Sequence, residues 1–284
     1  MPELTKIRVW KLNRRGILEE LADFEKEARS LDQVSSALPQ GVYTSFRTYQ
    51  HFLGLHLADH FHRLKDGADR FGCPIKLNPT AIRRTLRSIL AGLEGTDFRF
   101  RLSVDLEIHP GEVYILAEKL VIPPVESYHM GVKTLARPFE RVNAETKYTR
   151  FILNSTDYRK LISKEINEVL LFNRQGQILE GLSSNFYGVI GSSIFTANEG
   201  ILLGITRNIV LNEAQKEGLK VIMEPVSLEG ILALDEVFIT SASRAVLPVK
   251  QVENHIIGRG HTGEITRLLG DLYNQKIQSE LEEI

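Results

Sequence analysis

A single cysteine, Cys73, stands among 284 residues. One thiol cannot close an internal disulfide, so burial and hydrogen bonding must hold the fold, and a reducing cytoplasm is the expected setting. Neither sign of charge is in excess: 35 Lys and Arg face 36 Asp and Glu, a formal net charge of -1. Such a chain has no field to gather nucleic acid or to settle on an anionic membrane. No apolar run approaches the length of a membrane span, and residues 1–6 carry no apolar leader core. Repeats and low-complexity tracts are missing as well. Asp59, His60 and His62 crowd together but do not share one helical face, and no His-Glu-x-x-His occurs, so no metal is expected. Gly188 and Gly191 sit in a hairpin and open no helix, which excludes a dinucleotide loop.

What is present is ordinary globular material, 43% hydrophobic and 25% charged, in a chain long enough for two cores. Pro123-Pro124 marks a linker, because adjacent prolines stiffen the backbone and remove donors. A smaller N-terminal domain, residues 1–122, and a larger C-terminal domain, residues 128–284, are expected around it. Residues 42–49 and 98–108 alternate as strands, the second turning at Gly111 into another strand at 113–116. Residues 57–71 and 82–93 carry the helical period, and Asn78-Pro79-Thr80 starts the second helix. In the C-terminal part, strands are expected at 131–136, 168–172, 177–180, 186–190, 193–196, 221–225 and 236–240. Helices are expected at 149–165, at 207–217 with Thr206 as N-cap and Gly218 after it, and at 262–281. Strands in hairpins with a few intervening helices predict an α+β fold.

The chemistry concentrates in two stretches. Residues 180–185, Glu-Gly-Leu-Ser-Ser-Asn, set a carboxylate beside a glycine, two hydroxyls and an amide. Residues 204–207, Gly-Ile-Thr-Arg, set a glycine and a threonine at a helix start, where free N–H groups favour an anion. An acceptor at one end and anion donors at the other suit a ligand with a cationic heterocycle and a phosphate. Taken singly, each piece is equally a strand end or a helix cap.

In order and spacing these pieces resemble the fold-type IV pyridoxal-phosphate enzymes: branched-chain aminotransferases, D-amino-acid aminotransferases and aminodeoxychorismate lyases. The resemblance spans residues 41–272 and is densest over 147–248. It implies a pyridoxal 5'-phosphate cofactor joined as a Schiff base to Lys147, which also shuttles the substrate proton. It implies that Glu180 pairs with the ring nitrogen and that Leu202 packs on a ring face. Arg63, Ile205, Thr206, Ser241 and Ala242 are implied as phosphate contacts. Tyr43 is implied to reach a substrate carboxylate across the interface of a homodimer.

Three positions depart from the family pattern. Leu182 stands where a small residue is usual, and the loop between Thr196 and Gly204 is short. The arginine-bearing loop after Val104 is replaced by a hairpin, leaving Tyr43, Arg47, Arg150 and His109 as candidates to meet a carboxylate. The resemblance therefore implies an aminotransferase moving an amino group from an amino acid or primary amine to a 2-oxo acid. A lyase of the aminodeoxychorismate type and a non-catalytic scaffold are the alternatives.

Overall fold

A computed structural model describes residues 7–25 and 30–284. The leader reading at residues 1–6 lies outside the described residues. The chain forms two compact units, one made of residues up to 121 with 146–154 and 280–284, the other of 122–145 and 155–279. The break after Val121 falls beside the proline pair. The Lys147 segment, expected in the C-terminal domain, belongs instead to the first unit.

The first unit holds a seven-stranded sheet. Its strands are β1 (Arg8–Leu12), β2 (Leu18–Glu20), β3 (Gly41–Tyr49), β4 (Leu53–Leu55), β5 (Phe98–Asp105), β6 (Val113–Lys119) and the Leu281–Glu283 strand. All neighbours are antiparallel, with β3, β5 and β6 central. Strict alternation along β5 sends Phe98, Phe100, Leu102 and Val104 into one core. That core is closed by α2 (Leu57–Arg70) and α3 (Pro79–Ala91), following a shorter α1 (Leu31–Ala37). Leu57, Phe61 and Leu64 of α2 and Ile82, Leu86 and Leu90 of α3 form the apolar stripes. Asn78 caps α3 by accepting from Ala81 N at 3.0 Å, the local start signal expected of it.

The opposite face of β5 carries Arg101, Ser103 and Asp105, and α1 lies against it through Arg101. Arg101 donates to Leu31 O, Ser35 Oγ and Asp32 Oδ1 at 3.1, 2.8 and 2.7 Å. Asp105 ends the strand by accepting from the N–H groups of Glu107, Ile108 and His109 at 2.7–2.9 Å. The strand expected to run to residue 108 therefore stops at a carboxylate-bound turn.

The second unit holds a ten-stranded mixed sheet. Its strands are β7 (Val132–Pro138), β8 (Ile166–Phe172), β9 (Gln177–Gly181), β10 (Asn185–Ile190), β11 (Ser193–Phe195), β12 (Lys220–Ile222), β13 (Val226–Ser227), β14 (Glu236–Ser241), β15 (Ala245–Val252) and β16 (His255–Ile256). The path β10-β14-β15-β7-β8-β9 returns to β10 through the Glu180–Asn185 pairing. Residues 180 and 185 thus sit where the sheet closes on itself. Helices α4 (Ile205–Lys216) and α5 (Glu264–Glu280) belong largely to this unit. Hairpin-rich sheets with separate helices make the fold α+β. The helix expected over 149–165 is shorter: residues 150–154 and 156–159 are helical and the chain then opens into a loop.

Candidate active site

In the first unit the Lys147 segment is stitched to the start of β3. Tyr43 N donates to Lys147 O at 2.8 Å and Thr149 N donates to Gly41 O at 2.9 Å. Gly41 N donates in turn to Thr149 Oγ1 at 2.9 Å. Glycine is required here because a Cβ at position 41 would lie 1.8 Å from Val104 O. The register sets Lys147 Nζ 5.2 Å from the centre of the Tyr43 ring, and the Arg101 guanidinium lies 4.7 Å from the same ring. Tyr43 thus stands beside the lysine of its own chain.

Arg63 sits on α2, and the charges of Arg63 and Lys147 both bear on His60. Burial, followed by those two charges and His56, holds His60 well below the ordinary histidine value, so its ring is neutral at pH 7. His60 Nδ1 pairs with Thr44 Oγ1 at 2.5 Å. Burial also lowers Arg63 to about 10, opposed by Asp59, which leaves the guanidinium charged.

In the second unit Glu180 is buried at the end of β9, 3% exposed. Arg141 Nη1 donates to its Oε1 at 2.6 Å and Leu202 N donates to its Oε2 at 3.0 Å. Asn185 Nδ2 donates to Leu202 O at 2.7 Å. A Cβ on Gly204 would meet Asn185 Oδ1 at 2.3 Å, so glycine is needed for the turn to lie this close. Residues 180 and 185 therefore cradle the turn that delivers the chain to α4. Helix α4 begins at Ile205 with Gly204, not Thr206, as N-cap, and no side chain caps it. Its first N–H groups are those of Ile205 and Thr206, and Thr206 is buried.

Ser241 ends β14, and Ala242 opens the three-residue turn into β15. Arg244 closes that turn and is bound on several sides. Its Nη2 donates to Glu168 Oε2 at 2.6 Å and to Ser183 Oγ at 2.8 Å, and its Nε donates to Ser241 Oγ at 3.2 Å. Glu168 has no exposed surface and also accepts from Ser183 Oγ, Ser184 Oγ and Val169 N at 2.8–3.0 Å. Burial works to raise its pKa, but Arg244, Ser183 and the Val169 N–H together hold it below the ordinary 4.5.

The structure brings Lys147 and Tyr43 together in one unit, and Glu180, Leu202 and the α4 N-terminus together in the other. Arg141, Glu168, Arg244 and Arg101 escape sequence reasoning. Arg141 is 39 residues from Glu180, and no local pattern announces the pair. Arg101 had a signal: a charged residue inside the alternating strand at 98–105. A cavity of about 530 Å³ is lined by Arg141, Leu179, Gln177, Asn198 and Met223 among others. Among the described residues no cluster of side chains suits a metal ion, and no helix is long and apolar enough to cross a membrane.

Comparison with known proteins bears on the family and the fold. The profile of the family described as amino-transferase class IV matches residues 41–252. A Thermotoga maritima protein named as a branched-chain-amino-acid aminotransferase is 30% identical over 239 residues, covering 82% of this chain and 85% of its own. The D-alanine aminotransferase of Bacillus licheniformis is 28% identical over 253 residues, covering 84% and 88%. A solved Thermotoga maritima structure, titled as a branched-chain amino acid aminotransferase, superimposes with a TM-score of 0.77 at 25% identity, covering 96% of each chain.

Proposed function

The chain belongs to the class IV amino-transferase family, and on that premise we propose that it moves an amino group between an amino acid or primary amine and a 2-oxo acid, with Lys147 as the covalent anchor. The cofactor is pyridoxal 5'-phosphate, and the residues present fit it. Its ring nitrogen calls for an acceptor, and Glu180 is an acceptor-only carboxylate. Its phosphate calls for donors, which an uncapped helix N-terminus supplies. The observation that carries the proposal is the link between these ends: Leu202 N–H is bonded to Glu180, and α4 begins three residues later.

When bound, the cofactor supplies an electron sink for negative charge on the substrate carbon next to the nitrogen. Glu180 accepts the ring N–H, and Arg141 fixes its carboxylate. The backbone N–H groups of Ile205 and Thr206, the hydroxyls of Thr206 and Ser241, the Ala242 N–H and the Arg63 guanidinium hold the phosphate. Leu202 covers one ring face. Lys147 Nζ anchors the cofactor and carries the substrate proton, and Tyr43 meets the substrate. The turn between β5 and β6, residues 106–112, contains no arginine. That supports acceptance of donors without a carboxylate, such as a 1-arylethylamine. We place the enzyme in the cytoplasm as a homodimer.

The test is half of the reaction. Holoprotein is mixed with both enantiomers of amino acids and of simple amines, and the cofactor's absorbance is followed into its pyridoxamine form. Conversion by at least one donor, reversed by a 2-oxo acid, is expected. If no donor converts the cofactor while aminodeoxychorismate is cleaved, the protein is a lyase and the proposal is wrong.

A further inference from the structure

The turn after β14 spans residues 242–244 and hands the chain to β15 at Ala245. Ala245, the residue that follows it, has φ +55°, a left-handed conformation that costs a non-glycine residue energy and persists only when its surroundings impose it. The side chain next to it is anchored on several sides. The Arg244 guanidinium is tied by Nη1 to Asn167 O and Oδ1 at 3.2 and 3.1 Å, and by Nη2 to Glu168 and Ser183. Its remaining nitrogen, Nε, points back to Ser241 Oγ.

This last bond fixes a direction. Arginine only donates, so Ser241 Oγ must be the acceptor, and its own hydrogen is left to point elsewhere. An ionised phosphate only accepts. A serine whose lone pair is occupied by an arginine anchored through its other nitrogens is therefore preset to donate, whereas an unrestrained serine also samples orientations that present a lone pair to the anion. We propose that Arg244, held by Glu168, is a positioning residue that orients the Ser241 hydroxyl to donate to the cofactor phosphate. The same guanidinium bonds Ser183, in the turn just past Glu180, so one side chain sets both the 241–245 turn and the 181–184 turn. The inference rests on the proposal that Ser241 is a phosphate contact.

The experiment is a calorimetric titration of apoprotein with pyridoxal phosphate and, separately, with pyridoxal lacking the phosphate. Replacing Arg244 alone would leave Glu168 charged and buried, so the positioning variant is the charge-balanced Glu168→Gln/Arg244→Met. The other variants are Ser241→Ala and the triple. Ser241→Ala and the charge-balanced variant are each expected to lose roughly tenfold or more in affinity for pyridoxal phosphate, the worth of a bond to a charged group. Affinity for pyridoxal should stay unchanged, and the triple variant should be no weaker than either. If Ser241→Ala loses phosphate-selective affinity and the charge-balanced variant keeps it, or if the losses add in the triple, Arg244 does not orient the serine. If Ser241→Ala shows no phosphate-selective loss, Ser241 is not a phosphate contact, and the positioning role falls with it.

Discussion

Substituting Arg244 alone, by methionine, exposes what the buried pair does for stability. Glu168 is fully buried and the Arg244 side chain is 13% exposed, so water replaces the lost cation only in part. Breaking a buried pair by removing one partner costs about 3–5 kcal/mol, most of it from the charge left behind. The hydroxyls of Ser183 and Ser184 and the Val169 N–H still solvate that charge, which favours the lower end. In urea unfolding of the apoprotein followed by circular dichroism, 3 kcal/mol is a midpoint fall of about 1 M at a slope of about 3 kcal/mol/M. Glu168→Gln/Arg244→Met removes both charges and should recover at least half of the loss. The effect also depends on pH. In the wild type the folded pKa of Glu168 lies below the ordinary 4.5, so the pair's contribution is complete above that value and is lost as pH falls through the folded pKa. In Arg244→Met, burial without the cation raises the folded pKa. The deficit is then full at neutral pH and shrinks on acidification toward 4.5. A single variant within about 1 kcal/mol of wild type would refute this account. So would a double variant as unstable as the single.

Lys147→Ala should abolish turnover while leaving circular dichroism unchanged, and borohydride reduction of the holoprotein followed by peptide mapping should place the cofactor label on Lys147. Glu180→Gln should lower the rate more than cofactor affinity, and Arg63→Ala should do the reverse; equal losses of cofactor in dialysis would contradict the division of roles. Deleting residues 280–284 should destabilise the first unit by several kcal/mol, because buried Ile284 and the bonds from Leu57 N, Arg83 and Arg87 are lost together. An unchanged urea midpoint would contradict that. Sedimentation at assay concentration should give a dimer, and a fully active monomer would remove that part of the proposal.

Elements that bury one face were legible because their periodicity is local. β5, α2 and α3 follow directly from the spacing of their apolar residues, and the Asn78 cap from its position. Position 206 was misjudged because threonine is the better capping side chain, whereas the close approach of Asn185 requires glycine at 204. Leu281 was read as the last residue of a helix because nothing near it in sequence reveals its antiparallel partner, Leu55. Lys147 was assigned to the wrong unit for the same reason: its neighbours in space, residues 41–43, are about a hundred positions away. Within the site, the carboxylate and the helix start were legible from residue types. The arginines that hold them were not, since a buried arginine and a surface one look alike until the fold pairs them.

The return of residues 280–284 to the first sheet has a consequence for synthesis. Among the described residues, β4 takes its outer neighbour from the Leu281–Glu283 strand, and the first N–H of α2 takes its acceptor from Glu282. On a ribosome adding about 5–20 residues per second, Ile284 follows Val121 by roughly ten to thirty seconds. Throughout that interval the nascent first unit presents an unpaired strand edge beside an uncapped helix, the kind of surface that recruits stray strands. The length of that exposure is set by the distance in sequence between β4 and its partner, and a pause late in translation would lengthen it directly.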